Sequence, residues 1–493
     1  MAPSTTMIED LFPKEPFFRI HEFKGSLAKE GLVADELQVV VRYPLTREGE
    51  IRGKVLGDRN TFKKIEGLFK VPGPLWTLKS QEHEGIRWQI QSDQVLVPMI
   101  SNRGWPSGYG EGMATVVADL RFEDVFVTEY FRTQGGRQDR QLWFFLAGPR
   151  ELWGLFQSRI PSYTGEVKID VRYAAIELEE PFPFDIEVRP VYFYDNTSEP
   201  NSCEVTKDAL ALLLKTSKSV NELPTEDFLS LGKELADDLT LLVSLLSRRW
   251  VEWFRYQLAT SESIVTYVRT TRPCSSDSLH WDDGLVEHHK SRDFFKVGLR
   301  NLREFRRKGF NLFMPIVYFV SANQKKYLEE QFTTLFLSLE RIKDMFAREE
   351  GIQENLPEED FKKLKSGVSA VIKEDVQSSK ARNMIRRKTR ELNRPPLRYV
   401  LDVLFSRYDV VWKDIYPKGS DLTIIDTRND LFHSSKDLDI DNLVRERDRL
   451  QALLERILLH MLGWDDISRS PTGSLKQWLT VPLESEPKTK KKS

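Results

Sequence analysis

At 493 residues and 57.5 kDa the chain is long enough for two or three domains. Its 40% hydrophobic and 30% charged residues describe a soluble globular protein. The formal charge of −2 excludes a surface uniformly coated for polyanions but leaves room for a local basic one. Two cysteines, Cys203 and Cys274, make neither a disulfide framework nor a zinc quartet and suit a reducing compartment.

The N-terminus has no basic segment leading into an apolar one, so no signal peptide is expected. The longest nearly apolar run, near 312–320, is too short to span a bilayer. A cytoplasmic protein without membrane contact follows as the expectation. The first two hundred residues read as strands. LQVVVRY (centred on 38–43), GIRWQI (85–90), ATVVADLRF (114–122), LWFFLA (142–147), GEVKIDVRYAAIEL (165–178) and IEVRPVYFY (186–194) are aromatic or β-branched and are separated by Gly, Pro and Asp clusters. They predict an antiparallel sandwich or barrel.

DNTSEPNS (195–202) reads as a boundary, after which the apolar period changes. The stretch 234–259 carries apolar residues at three and four spacings and predicts one long helix or two; 263–270 is short and extended in character. Helices are predicted at 324–350, 361–374, 397–408 and 441–464. The fold class is therefore α+β in two parts, a β-rich sandwich- or barrel-like region followed by an all-α bundle. The divisions expected are 1–200 (β-rich), 201–325 (mixed, mainly helical), 326–470 (helical) and 471–493 (a solvated basic tail).

The stretch IIDTRNDLFHSS (424–435) sets Thr427, Arg428, Asn429 and His433 within seven positions in a chain holding seven histidines. Thr427 with Asp430 has the logic of a capping box, and Asp426 is an alternative cap. Either places Arg428 and Asn429 in a first helical turn, where free N–H groups and the dipole favour an anion. Arg428 adds a planar cationic fork suited to phosphate, and His433 adds a group that moves protons near neutral pH. Five helical positions turn by about 140° and rise roughly 7.5 Å, so the two side chains do not share a stripe. Convergence on one phosphate needs a long reach by Arg428, a distorted turn, or a second copy of the helix. The same residues also fit a purely structural reading, with His433 on an interhelical seam and Arg428 paired to a carboxylate such as Asp426. Glu340, an acid within the apolar run LSLERI, is either a contact to the Arg428 side of this site from a neighbouring helix or an ordinary surface flank.

TRNDLFH resembles the Arg-x4–6-His signature of HEPN domains, with the polar residue that commonly follows the Arg present as Asn429. The β-rich front, including FKGSLAKEGLVADELQVVVRY (23–43), joined to such a helical tail, is similar to the ApeA-like group of prokaryotic antiphage defence proteins. The resemblance implies a metal-independent, cofactor-free endoribonuclease acting as a homodimer through the helical domain. In it His433 serves as general acid or base, Arg428 holds the phosphate and Asn429 orients one of them. It implies 2′,3′-cyclic phosphate ends, RNA (tRNA among the candidates) as substrate, and a front domain that senses a phage-derived trigger.

Arg382, Arg386, Arg390 and Arg394 fall four apart and, with Arg387 and Lys388, form a continuous basic stripe if the segment is one helix. That stripe suits either a sequence-independent RNA clamp or a solvated face. LHWDDGLVEHHK (279–290) is the one histidine cluster, but its spacing matches no metal motif and it reads as a polar loop. SGYGEG (107–112) lacks the context of a phosphate-binding loop. Three functional classes stand: the ribonuclease, a catalytically inactive RNA-binding or dimerisation scaffold, and a polysaccharide- or peptide-binding front domain using Trp76, Trp88, Trp105 or Trp143. Most of those tryptophans are expected in the core.

Overall fold

The computed structural model describes residues 18–45, 50–57, 59–69, 76–81, 88–100, 115–130, 140–147, 157–158, 172–173, 175–176, 184–195, 204–216, 223–270, 284–287, 290–416, 421–433, 439–466 and 479–480. Within these segments the side chains of 157–158, 172–173, 175–176, 190–195 and 204–210, and of several other residues, Arg390 and His433 among them, lie outside that description. The protein has a β-rich N-terminal barrel-and-sheet region followed by an α-helical C-terminal bundle.

Six strands close a barrel: β1 (Phe18–Lys29), β2 (Leu32–Pro44), β3 (Ile51–Gly57), β4 (Trp76–Ser80), β5 (Trp88–Ile100) and β6 (Thr115–Phe122). The antiparallel pairings run β1–β2, β2–β3, β3–β6, β6–β5, β5–β4 and β4–β1, which leaves no free edge around the ring. Glu30 and Gly31, both with positive φ, form the two-residue turn between β1 and β2. Its twist matches that of the flanking strands. Alternating side chains such as Phe23, Leu27, Val39, Val41, Val55 and Leu120 fill the interior with Trp76. Helix α1 (Arg59–Phe69) adds Ile65 and Leu68 to the same core.

The sheet continues out of the barrel because β5 changes partner along its length. Its first residues pair with β7 (Asp124–Tyr130) and its last with β6. Beyond β7 the order is β15 (Ser263–Arg269), β14 (Glu252–Ala259), β8 (Gln141–Ala147), β13 (Glu204–Thr216), β12 (Phe184–Asp195) and β11 (Ala175–Ile176). Two short strands, β9 (Gln157–Ser158) and β10 (Arg172–Tyr173), pair separately.

Two sequence expectations change here. The proposed boundary at 195–202 falls between β12 and β13, which pair with each other along their full lengths. Leu- and Ala-rich β13 is an interior strand, with Ala211, Leu212, Leu213 and Leu214 all buried; enclosure on both faces overrides its helix-forming composition. Of the stretch expected to be helical at 234–259, only the first half is. Helix α2 (Thr225–Ser247) ends where Arg248 adopts a positive φ, and the aromatic run that follows becomes β14. Gly232 lets α2 lie close on β8, since a Cβ there would meet Leu142 Cδ2 at 2.2 Å.

The chain divides into two compact units, 1–240 with 251–281, and 241–250 with 282–493. The second is built from α3 (Ser291–Arg307), α4 (Phe313–Ala322), α5 (Leu328–Glu349), α6 (Glu358–Asp375), α7 (Ser379–Thr389), α8 (Leu397–Arg407), α9 (Ile424–His433) and α10 (Ile440–Met461). Helix α10 is its axis: Leu443, Leu450, Leu453, Leu454, Ile457 and Leu458 are buried, and so are Glu446, Arg449, Glu455 and Arg456. No helix among the described residues is long and apolar enough to cross a membrane.

Helices α6 and α7 form an antiparallel hairpin whose neck is closed by two asparagines. Asn355 Nδ2 donates to the carbonyls of Leu392 and Arg394, both at 3.0 Å. Asn393 Oδ1 accepts from the Leu356 amide at 2.8 Å, and its Nδ2 donates back to the Leu356 carbonyl at 3.1 Å.

In the barrel, the His21 ring stacks on Tyr43 with centroids 5.6 Å apart and is hydrogen-bonded to its hydroxyl at 3.2 Å. Burial holds His21 below the ordinary histidine value, with Glu129 opposing and Arg19 reinforcing the shift. A depressed folded-state pKa means the fold favours the neutral ring. The stability this contributes is present above the ordinary value of 6.5 and is lost as pH falls through the lower folded one. His21→Gln is therefore expected to flatten the acid side of the Tm-versus-pH curve below 6.5, checked by thermal melts across that range.

Candidate functional site

Helix α9, which carries Arg428, is pinned from below at its start. Leu422 and Ile424 are buried in the bundle, and Thr423 donates its hydroxyl to Glu446 Oε1 at 2.8 Å. Glu446 is paired with Arg449, whose Nε and Nη2 donate to the Leu479 carbonyl at 3.1 and 2.7 Å. Asp421, just before the helix, pairs with Arg398 of α8. Burial raises the Glu446 carboxyl above its usual range against the pull of Arg449 and Thr423.

These anchors start the helix earlier than its capping signals suggest. Thr427 is no cap: its amide and its hydroxyl both donate to the Thr423 carbonyl, at 3.0 and 3.1 Å. Arg428 accordingly lies in the second turn, and the positive dipole end belongs to residues 422–425 instead, where the Leu422 amide already donates to Asp421 Oδ1 and the Ile425 amide to the Leu422 carbonyl. The anion-binding argument from a helix start does not apply at Arg428. The guanidinium has to carry any phosphate affinity itself.

Its setting is defined on three sides. Phe336 of α5 lies beneath the guanidinium, with Cζ 5.8 Å from the ring centroid. One turn further along α5, Glu340 Oε1 lies 3.9 Å from Arg428 Nη2. Asn429 Oδ1 accepts from Arg428 Nη1 at 3.2 Å. Arg428 keeps 34% of its side-chain surface exposed and Glu340 37%, so an anion from solvent can reach the pair and compete for the cation. Glu340 is thus the contact from a neighbouring helix, in place of the local partner Asp426. Phe336 was missed from sequence; its one signal is its position four residues before Glu340. His433 ends α9, five positions after Arg428. Its side chain lies outside the described residues.

The arginine stripe at 382–394 is divided. Arg382, Arg386, Arg387 and Lys388 lie on α7, the last three exposed. Residues 390–393 form a 3-10 turn, and Arg394 is extended, with φ −82° and ψ 129°. Four-residue spacing therefore keeps Arg382 and Arg386 on one side, whereas Arg390 and Arg394 do not continue that helical face. The antiparallel α6 brings Lys362 and Lys373 to the same side, eleven residues apart and so nearly eclipsed. Sequence inspection of α7 alone could not show this pairing.

Among the described residues no group of three His, Cys, Asp or Glu could hold a metal ion. Of the 279–290 cluster, Glu287 pairs with Lys290 at 3.3 Å; His280, Asp282, Asp283, His288 and His289 lie outside the described residues, as do 107–112 and Trp105. Trp76 is core, and Trp143 is packed among Phe145 and Phe254 beneath Arg189.

No protein-family model, curated protein or solved structure matches this chain. The buried Glu446–Arg449 pair sets the position of α9. Arg449→Met, which leaves the Glu446 carboxylate buried and uncompensated, is expected to cost about 3–5 kcal/mol in urea denaturation. Glu446→Met in the same chain should recover most of that loss.

Proposed function

We propose that this chain is a HEPN-type endoribonuclease whose reacting groups are Arg428, Asn429 and His433. The observation that carries the reading is a half-exposed guanidinium oriented by an aromatic ring, a carboxylate and an amide, on the helix that ends in His433. In the reaction the ribose 2′-hydroxyl loses its proton to His433 and attacks the adjacent phosphorus. The bond from phosphorus to the 5′-oxygen breaks, that oxygen takes up a proton, and the products are a 2′,3′-cyclic phosphate and a 5′-hydroxyl end. Arg428 offsets the charge that builds on the phosphorane oxygens, and Asn429 holds the guanidinium in position. A phosphate must displace Glu340 from part of Arg428, and at 3.9 Å between half-exposed groups that contact is weak, on the order of 1 kcal/mol or less.

The basic side of the α6–α7 hairpin, with Arg382, Arg386, Lys362 and Lys373, supplies a sequence-independent grip on the RNA backbone. RNA of the host, tRNA included, is the proposed substrate. The β-rich region is the proposed sensor of a phage-derived trigger, and a homodimer is the proposed working state. The Glu340–Arg428 pair favours a second reading, a catalytically inactive scaffold in which the cation serves packing alone.

End-group analysis of cellular RNA after induced expression, with and without phage, separates the two. New 2′,3′-cyclic phosphate ends are expected with the wild-type chain and absent with a folded His433→Ala chain. Identical ends from both, where the wild type protects cells, would leave the scaffold. On the hairpin, Arg382→Gln with Arg386→Gln is expected to weaken RNA binding similarly across sequences and to reduce the salt slope by about 1.4 for single strands, measured by titration at several salt concentrations.

A further inference from the structure

The α6–α7 hairpin has a second side, and it is apolar. Leu364 and Val371 are seven residues apart on α6, 45% and 57% exposed, and lie opposite Lys362 and Lys373 around the helix. On α7, Met384 is 62% exposed and lies opposite the side that carries Arg382 and Arg386. Antiparallel packing of the two helices gathers Leu364, Val371 and Met384 on one face. RNA phosphates have no use for these side chains, and the hairpin buries Ile372 without them.

Gly367 lies on the same stripe, three residues after Leu364 and four before Val371. A Cβ built there would meet nothing within 4 Å, so no packing among the described residues requires a glycine. A glycine in a helix interior is destabilising relative to alanine. Its ordinary use in such a place is to let another backbone come close.

The charges around the face select the occupant. At the neck, α6 presents Asp360 and α7 presents Lys388; at the tip, α6 presents Asp375 and α7 presents Lys380. Asp360 has only an exposed contact to Lys363 at 3.5 Å. Each end of the hairpin thus carries an acid on α6 and a base on α7. A partner segment of one charge sign would meet like charge on one of the two helices. A second copy would not, if its hairpin is laid face to face about a two-fold axis parallel to the helices. Then α6 of each copy lies on α7 of the other, with Asp360 opposite Lys388 and Asp375 opposite Lys380. A two-fold axis across the helices would instead set Asp360 against Asp375 and Lys380 against Lys388.

We propose that this apolar side of the hairpin is a self-complementary interface joining two copies of the chain about a two-fold axis parallel to α6 and α7. Eighteen residues of α6 span about 27 Å and eleven of α7 about 16 Å, each helix being about 10 Å wide. The face therefore offers roughly 430 Å² per copy and about 860 Å² in total, the size of a weak, concentration-dependent interface. The proposal uses no residue of the Arg428 site and does not depend on the ribonuclease reading: His433→Ala leaves the dimer unchanged.

Sedimentation velocity of the full chain over a concentration series tests it. The wild type is expected to dimerise. Gly367→Leu, whose Cβ would meet nothing within 4 Å, should keep or raise the Tm while weakening the dimer at least tenfold. Asp360→Lys with Asp375→Lys, and separately Lys380→Glu with Lys388→Glu, should each be monomeric alone and should dimerise when mixed. A wild type that stays monomeric, a dimer indifferent to these variants, or a mixture that fails to recover association would each overturn the proposal.

Discussion

A helix enclosed on all sides can hold charged residues only if each finds a partner, and α10 carries four of them. Arg449 and Glu446 bind each other and reach Thr423 and the Leu479 carbonyl; Glu455 takes Arg248 at 2.7 Å; Arg456 takes Asp414 through both guanidinium nitrogens. The segments that supply those partners are Arg248 just after α2, a 3-10 turn at Lys413–Ile415, Thr423 just before α9, and the segment that carries Leu479. The bundle is organised by that requirement as much as by its apolar seams. Breaking any one pair strands a charge in a low-dielectric interior, whereas an apolar replacement of both partners would be nearly neutral. The arrangement therefore specifies which segment lies where on α10.

The position of Arg428 is one outcome. Thr423 and Glu446 set the beginning of α9, and its 3.6-residue period then turns Arg428 toward Phe336 and Glu340 of α5. The ring supports the guanidinium plane, the carboxylate offsets its charge without enclosing it, and Asn429 holds one nitrogen. A cation held this way is ordered before any ligand arrives, so an incoming phosphate loses less to side-chain freedom than it would against a mobile arginine. The same geometry serves a structural ion pair, and the effect of replacing His433 on RNA ends separates the two.

The hairpin combines two chemistries in one small element. A period of 3.6 lets residues two apart, such as Met384 and Arg386, face opposite ways, so one pair of helices presents a basic side and an apolar side. The Asn355–Asn393 clasp closes the neck through one backbone–backbone hydrogen bond and four between an asparagine side chain and the backbone, so the hairpin holds its base with few buried apolar residues.

Alternation and period by themselves determined the two-part α+β character, strands β2 and β6 and the start of β5 in the barrel, β8 and β12 beyond it, and helices α5, α6, α8 and α10, because the pattern records which faces these bury. They also placed Arg428, Asn429 and His433 on one helix, but left Glu340 open between a contact to Arg428 and a surface flank. Tertiary contacts decided the rest. The strand state of β13 and β14 comes from neighbours that enclose both faces, which no local propensity encodes. Closure of the barrel depends on β5 pairing with two strands in turn. The start of α9 moved upstream of its capping residues because Leu422, Ile424 and the Thr423–Glu446 bond outweigh a cap at Thr427. Which lysines join Arg382 and Arg386 follows from the antiparallel approach of a separate helix. Residue spacing records what lies along one element; what lies across from it is set by packing.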